Sequence, residues 1–521
     1  MIPIHLVILT LVVLTFTGAY QARAVPPMSA LAILGTVFLT HAALVALVTL
    51  RARSAARLLH QPAAPGGMVA LRIERLMGAA RWATIALAIA QTWGLGFGAL
   101  LMNPTSLGGW GLKYTAEIIL LAPALLSWLA FWASYYQVER ALAQRALPYR
   151  LAMGLPAHEM PSFSAYMAMQ IRHNLYLLIP FAIATLVEKI VAHASDKVQA
   201  IFMPVGLVFM LILVPWLITR LWHTEPLTGP LRDRLDSIAR AHHVRFQNIL
   251  IWRTHHHVSN AAILGFVPFA RFFLMSDALL ESLTDQQIEA VFAHEVGHGR
   301  HRHMWWYGAA IAASITLADA LGSLATDGLA RIPLLHAYIA DNDTVGVALV
   351  GVLLIGFGFL IFLPLSRRFE HQADWFAAKH MATTPEPPPE PAVMTLEQYA
   401  AGYAVPALPV DPGAAPVLTP VIPPLPPVAV PTAASLTRGA DLFSSALRQI
   451  VQLSNRTLDR GGWFHPSPLR RIKLLHDLAA SPDRVRQFER RMILLRVYVA
   501  LLALTAVALI VIAYIQDRAG Q

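Results

Sequence analysis

The sequence predicts a mainly α, polytopic helical membrane protein carrying a small β element, and three observations predict it. Of 521 residues, 56% are hydrophobic and 13% charged, with a mean hydropathy of +0.54, which is too apolar for a soluble globular chain of this length. About nine apolar runs approach or exceed the roughly 20 residues needed to cross the hydrocarbon core of a bilayer. Finally, the connections between these runs alternate between arginine-rich and arginine-poor, as an ordered topology requires.

The runs lie near residues 3–20, 28–49, 82–103, 115–136, 175–194, 199–219, 305–325, 344–366 and 492–515. Between Arg51 and Arg81 there are six arginines. Arg140, Arg145, Arg150 and Arg172 mark a second basic connection, and the stretch from Arg220 to Arg302 is basic as well. These connections belong in the cytoplasm. The intervening turns hold only Lys113, Lys197 beside Asp196, and Arg331 among Asp327, Asp341 and Asp343, and they belong outside. The net charge of +10 therefore points to anionic lipid rather than to nucleic acid. "QARA" at Gln21–Ala24 looks like a small-residue cleavage site. No Lys or Arg precedes the first run, so it reads as a span rather than a signal peptide.

Two long segments interrupt the membrane pattern. The first, 221–304, is predicted to be a cytoplasmic region. In it, "VSNAAILGFVPFARFFLMSDALL" (Val258–Leu280) is broken by Gly265 and Pro268 and reads as paired strands rather than a span. "TDQQIEAVFAHEVGH" then starts a helix, with Thr284 as its N-cap and Gln287 as the reciprocal partner. The second segment holds fifteen prolines between Pro385 and Pro431, a density that excludes a packed helical domain and marks an extended loop or linker. The expected organisation is a membrane region of six spans (1–220), the cytoplasmic region (221–304), a membrane hairpin (305–366), a short helix (367–382), the proline-rich insert (383–434), a return segment (435–491), and a final span and tail (492–521).

The chain has no cysteine, so any metal must be held by His, Asp or Glu. In "HEVGH", His294 and His298 stand four apart on one helix and project from the same face. Glu295 sits beside them, placed to take a proton from a water activated by a metal ion. A catalytic zinc needs a third protein ligand. "RRFEHQADWFAAKH" offers Glu370, with Asp374 one turn later to accept the second N–H of a ligating histidine. One candidate helix runs into the span at 305–325 and the other emerges from the span at 344–366, so both ligand sets meet at one face of a membrane hairpin. Arg300, Arg302, Arg367 and Arg368 mark that face as cytoplasmic.

At these residues the sequence resembles the membrane zinc metallopeptidases that include CAAX prenyl protease 1 and the heat-shock protease HtpX. "HEVGH", "EHQAD" and "HPSPLRRI" (His465–Ile472) match in order, with a weaker match at "SNAAILG" (Ser259–Gly265). The resemblance covers about Arg220 to Asp477, apart from the insert. It implies a zincin-like catalytic region with one zinc ion per chain, held by His294, His298 and Glu370, and Glu295 as general base. It further implies Asp374 as the orienter of a ligand, Asn260 and Ala261 as the strand that pairs with substrate, His465 near the developing oxyanion, and Arg471 as the partner of an acidic group.

His301 and His303 read as interfacial histidines, and His255, His256 and His257 as a surface loop. The expected activity is zinc-dependent endopeptidase hydrolysis of membrane or membrane-associated proteins at the cytoplasmic face. Peptide or protein substrate and the lipid bilayer are the expected partners. CAAX-type prenyl protein processing is the nearest alternative. However, an Arg-rich, Lys-poor, Ala-rich composition points to a bacterial inner membrane, where prenylated substrates are not expected. A non-catalytic scaffold or transporter is the alternative from a different class; Glu117, Glu188 and Lys189 lie only near span ends, where snorkelling accounts for them. The sequence leaves the oligomeric state open.

Overall fold

The computed structural model describes residues 28–61, 66–102, 116–152, 160–175, 212–256, 258–333, 343–384, 432–453, 457–459, 461–462 and 465–519, together with residues 179 and 336. The predicted run at 3–20, the "QARA" site, most of the runs at 175–194 and 199–219, Glu188 and Lys189, His257 and the proline-dense stretch fall outside these residues.

In the N-terminal part the chain forms α1 (Ala30–Leu59), α2 (Gly66–Ile89), α3 (Phe97–Met102), α4 (Ala116–Ala152) and α5 (Phe163–Leu175), and the arginine-rich stretches around 51–81 and 140–150 lie within α1, α2 and α4 rather than in loops. Val48, Ala52 and Ala56 of α1 pack with Ala124, Trp128 and Phe131 of α4. The small side chains let the two backbones approach closely. The run at 82–103 is not one straight helix. It passes through a π turn at Ala90–Gly94 and a left-handed Gly96 (φ +79°) before α3. Gln91 in that turn donates to Thr40 Oγ1 at 2.9 Å and lies 3.2 Å from His41 Nε2, so the irregular turn coincides with the polar groups that tie it to α1.

The short helix α6 (Ile212–Leu221) leads into β1 (Thr224–Pro226), α7 (Pro230–Ala241), β2 (Asn248–Trp252), β3 (Ala261–Leu264) and β4 (Phe272–Ser276). The strands form one sheet in the order β1-β2-β4-β3, with β2–β4 parallel and β3–β4 antiparallel. The paired strands expected on either side of Gly265 and Pro268 are therefore β3 and β4. Gly265 has φ +94°, and a Cβ there would lie 2.0 Å from the Ala270 carbonyl oxygen, so the turn admits only glycine.

Side-chain alternation explains why β2 after Asn248 and β4 before Ser276 are apolar on both faces. Ile249, Phe273 and Met275 face the main core. Leu250, Trp252, Phe272 and Leu274 face Ile218 and Trp222 around α6. The sheet is thus covered on both sides, and β3 is one of its two edges, β1 being the other.

After the short α8 (Asp277–Ser282) come α9 (Asp285–Arg300) and α10 (His303–Ala330). An almost continuous helix follows, made of α11 (Asp343–Phe357), a π turn at Gly358–Phe362 and α12 (Leu363–Thr383). The chain ends in α13 (Ala433–Leu453), α14 (Pro468–Ala479) and α15 (Pro482–Ala519). Among the described residues, five helices are long and apolar enough to cross a membrane: Ala30–Leu59, Ile118–Pro148, His303–Ala330, Leu349–Thr383 and Pro482–Gln516. One buried cluster joins Phe273 of the sheet, Phe292 of α9, Phe369 and Phe376 of α12, Phe443 of α13, Ile472 of α14 and Phe488, Met492 and Val499 of α15.

α13 comes close to α12 at Gly439, where a Cβ would lie 2.1 Å from the Ala378 carbonyl oxygen. Gly439→Ala is expected to cost about 1–3 kcal/mol through overpacking. Gly78→Ala on α2, where a Cβ meets nothing within 4 Å, is expected to leave stability unchanged or slightly raised. Thermal unfolding midpoints of the two variants in detergent check the contrast.

Candidate metal centre

The two helices that build the site are placed by local sequence. Thr284 caps α9, and the reciprocal Thr284–Gln287 box forms as expected. Gln287 Nε2 also donates to Ser445 Oγ at 3.1 Å and so fastens the start of α9 to α13. Ile288, Val291, Phe292 and Val296 then enter the core, which leaves the face bearing His294 and His298 turned toward α12. The four-residue spacing brings their Nε2 atoms to 3.2 Å from each other.

On α12, Glu370 is 5% exposed. Its Oε1 lies 3.5 Å from His298 Nε2, and its Oε2 lies 3.9 Å from His294 Nε2. One donor atom from each of His294, His298 and Glu370 lies within 4.8 Å of the others. Asp374, one turn along, stands 3.0 Å from His294 Nδ1. It also accepts from Arg471 Nε at 2.8 Å and from Arg471 Nη2. Burial opposes the Arg471 charge, but the Asp374 carboxylate outweighs it and holds the guanidinium above its ordinary pKa. Burial, reinforced by neighbouring His294, pushes His298 down to about 3, so at neutral pH its imidazole is uncharged, the form that can ligate.

Glu295 points toward the sheet rather than toward Glu370's helix. Its Oε2 accepts a hydrogen bond from the Ile263 N–H of β3 at 2.9 Å, and burial raises its carboxyl pKa. His465 lies beside the cluster with its side chain 63% exposed and its Nδ1 2.9 Å from Glu370 Oε2. A cavity of about 560 Å³ opens there, lined by His465, His371, Arg367, Arg368 and Arg470 among others.

The structure thus brings together His294, Glu295, His298, Glu370, Asp374, His465 and Arg471. It separates the pair expected on the substrate strand. Ala261 is in β3, but Asn260 precedes it, and Asn260's carbonyl and N–H are taken by Ser276 N and Ser276 Oγ. Strand alternation leaves the main-chain groups of Ala261 and Ile263 on the free edge instead.

Sequence reasoning also misplaced His303. Far from being interfacial, it is 0% exposed, and its Nδ1 lies 2.9 Å from His298 Nδ1. The signal available was its position five residues past His298, but a helix continuing through Arg302 would have turned it away. Arg302 instead takes a left-handed conformation, φ +57°. Phe443, stacked on His294 with ring centroids 5.6 Å apart, carried no sequence signal because it lies beyond the insert. His255 and His256 lie apart from the cluster, with His256 Nδ1 2.7 Å from Glu281.

Residues 227–479 match the description of peptidase family M48. A solved structure, that of S. mikatae Ste24p, aligns at 15% sequence identity and a TM-score of 0.35, covering 86% of this chain and 99% of that one. No curated protein sequence matches the chain. The matched segment contains every residue of the cluster and lies among helices long and apolar enough to cross a bilayer, and residues 227–479 are accordingly an M48-type peptidase region within a membrane protein.

Proposed function

We propose that the protein is a zinc-dependent endopeptidase with one zinc site per chain, cutting membrane or membrane-associated proteins at the cytoplasmic face of a bacterial inner membrane. The observation that carries this reading is the buried convergence of His294 Nε2, His298 Nε2 and a Glu370 oxygen. The donor set fits zinc: two imidazoles and one carboxylate are a familiar catalytic set, and the chain has no thiolate to compete. Asp374 at His294 Nδ1 favours the tautomer that leaves the Nε2 lone pair facing the other donors. A zinc ion held by these three residues would supply a Lewis acid that polarises the scissile carbonyl and makes water acidic near neutral pH.

The remaining steps belong to the protein's own groups. Glu295 takes the proton from the attacking water and later delivers it to the leaving amine. Its raised pKa suits a carboxylate that must hold that proton between the two events. An extended peptide would add to the free edge of β3 by main-chain pairing with Ala261 and the Ile263 carbonyl, a mode that tolerates varied side chains. His465, beside the cluster with its side chain 63% exposed, is the candidate donor to the developing oxyanion. The arginines at the ends of the hairpin, Arg300, Arg302, Arg367 and Arg368, support the cytoplasmic orientation.

Glu295→Gln is expected to keep zinc and lose about a hundredfold to ten-thousandfold in peptidase rate, since general acid–base catalysis contributes about that much. Glu370→Ala is expected to lose zinc as well. Metal analysis beside cleavage of an unfolded protein separates the two, and wild-type turnover by Glu295→Gln would end the assignment of the base.

Orientation is tested independently. Reporters fused after Arg232 and near Arg438 should read cytoplasmic, and one near Asp341 should read external. An external reading at the first two places would move the site to the other side of the membrane.

A further inference from the structure

His303 is joined to three groups that together leave its hydrogen-bonding direction no freedom. The left-handed Arg302 ends the run of α9 and turns the first residue of α10 back beneath His298. There the His303 ring lies parallel to Phe369, with centroids 4.1 Å apart and planes 5° apart. Its Nδ1 is 2.9 Å from His298 Nδ1, and its Nε2 is 3.0 Å from Gln372 Oε1. The same Gln372 oxygen accepts from Arg496 Nη2 at 2.9 Å.

The direction of each bond follows from the arginine end. A guanidinium only donates, so the Gln372 atom facing it is the amide oxygen. That oxygen can only accept, so His303 Nε2 carries the hydrogen. In the neutral ring His303 Nδ1 is then the acceptor, and His298 Nδ1 must be the donor. His298 Nε2 is left as a lone pair, on the side that faces His294 Nε2 and Glu370 Oε1.

We propose that His303, Gln372 and Arg496 form a positioning chain that holds His298 in its metal-binding tautomer and couples the final membrane helix to the metal centre. The proposal rests on the reading of His298 as a zinc ligand. It gives the two histidines different supports: His294 is backed by a carboxylate and its arginine, and His298 by a neutral imidazole whose polarity is set from α15. None of the three groups needs to touch substrate. Their effect passes through His298 alone, because a ligand whose ring can rotate or whose proton can sit on Nε2 spends less time available to the metal.

The test is the rate at which zinc passes from the purified full-length protein to an excess of chelator. Gln372→Leu keeps the volume but removes the acceptor, and it should release zinc faster than wild type by up to about 10–100-fold, the cost of losing a ligand's own outer partner, since Gln372 acts on His298 through His303. Gln372→Glu keeps an acceptor for both donors and should release zinc at the wild-type rate. A packing role predicts the reverse order, with leucine tolerated and the buried charge damaging, and that order would overturn the proposal, as would a wild-type rate for Gln372→Leu.

Should Gln372→Leu fail to fold, Arg496→Met at the half-buried far end carries the test, and zinc release no faster than wild type would overturn the proposal. His298→Ala is the control for the reading beneath it. If wild type holds no stoichiometric zinc, or His298→Ala retains it, the zinc assignment and the positioning chain fail together; if His298→Ala loses zinc and the Gln372 and Arg496 variants match wild type, only the chain fails.

Discussion

The site depends on how two carboxylates survive burial. Glu370 and Asp374 are 5% and 1% exposed, and an unpaired carboxylate that far from water would neutralise or destabilise the fold. Arg471 resolves this by lying against both, bonded to Asp374 and 3.7 Å from Glu370. Removing one partner from such a buried arrangement typically costs about 3–5 kcal/mol, because the charge left behind has no water to replace it. Arg471 is 97 residues from Asp374 in sequence, so one electrostatic requirement also draws α14, beyond the proline-dense insert, back onto the helix that carries Glu370.

That requirement explains the arrangement around it. With α14 seated, His465 just before it comes within reach of Glu370, and α13 packs Phe443 onto the His294 ring. Gly439 permits the close approach of α13 and α12 that this stacking needs. The chain between α12 and α13 can vary in length at small cost, since the entropy of closing a loop grows only slowly with its length, while both flanks are fixed by burial and charge.

The membrane and catalytic parts share one core rather than meeting at a boundary. Phe488, Met492 and Val499 of α15 belong to the same buried cluster as Phe292 of α9 and Phe369 of α12. The helix bearing Glu370 is continuous with a candidate span, and the helix following His298 is another. The donor atoms of His294, His298 and Glu370 are therefore held by helices continuous with, or directly preceding, the candidate spans. The hydrogen bond from Ile263 to Glu295 links that carboxylate in turn to the sheet edge.

Whatever depended on neighbours close in sequence was legible before the structure. The apolar runs that became the long helices, the Thr284–Gln287 cap, the turn at Gly265 and the pairing of His294 with His298 all arise from contacts within a few residues, where helical and strand periods set the geometry. The nearness of "HEVGH" to "EHQAD" was legible too, because each motif adjoins one of two successive apolar runs, and α10 and α11 pack against each other. What the sequence could not determine is what long-range packing decides. Asn260 and Ala261 are adjacent letters, yet Ser276 engages the main chain of one and leaves the other on the edge. His303 looked like one more interfacial histidine until a left-handed Arg302 turned it inward to Gln372 and, through it, to Arg496 on the last helix. Such contacts have no period and no spacing, since partners 69 and 124 residues apart are brought together only when the whole core closes.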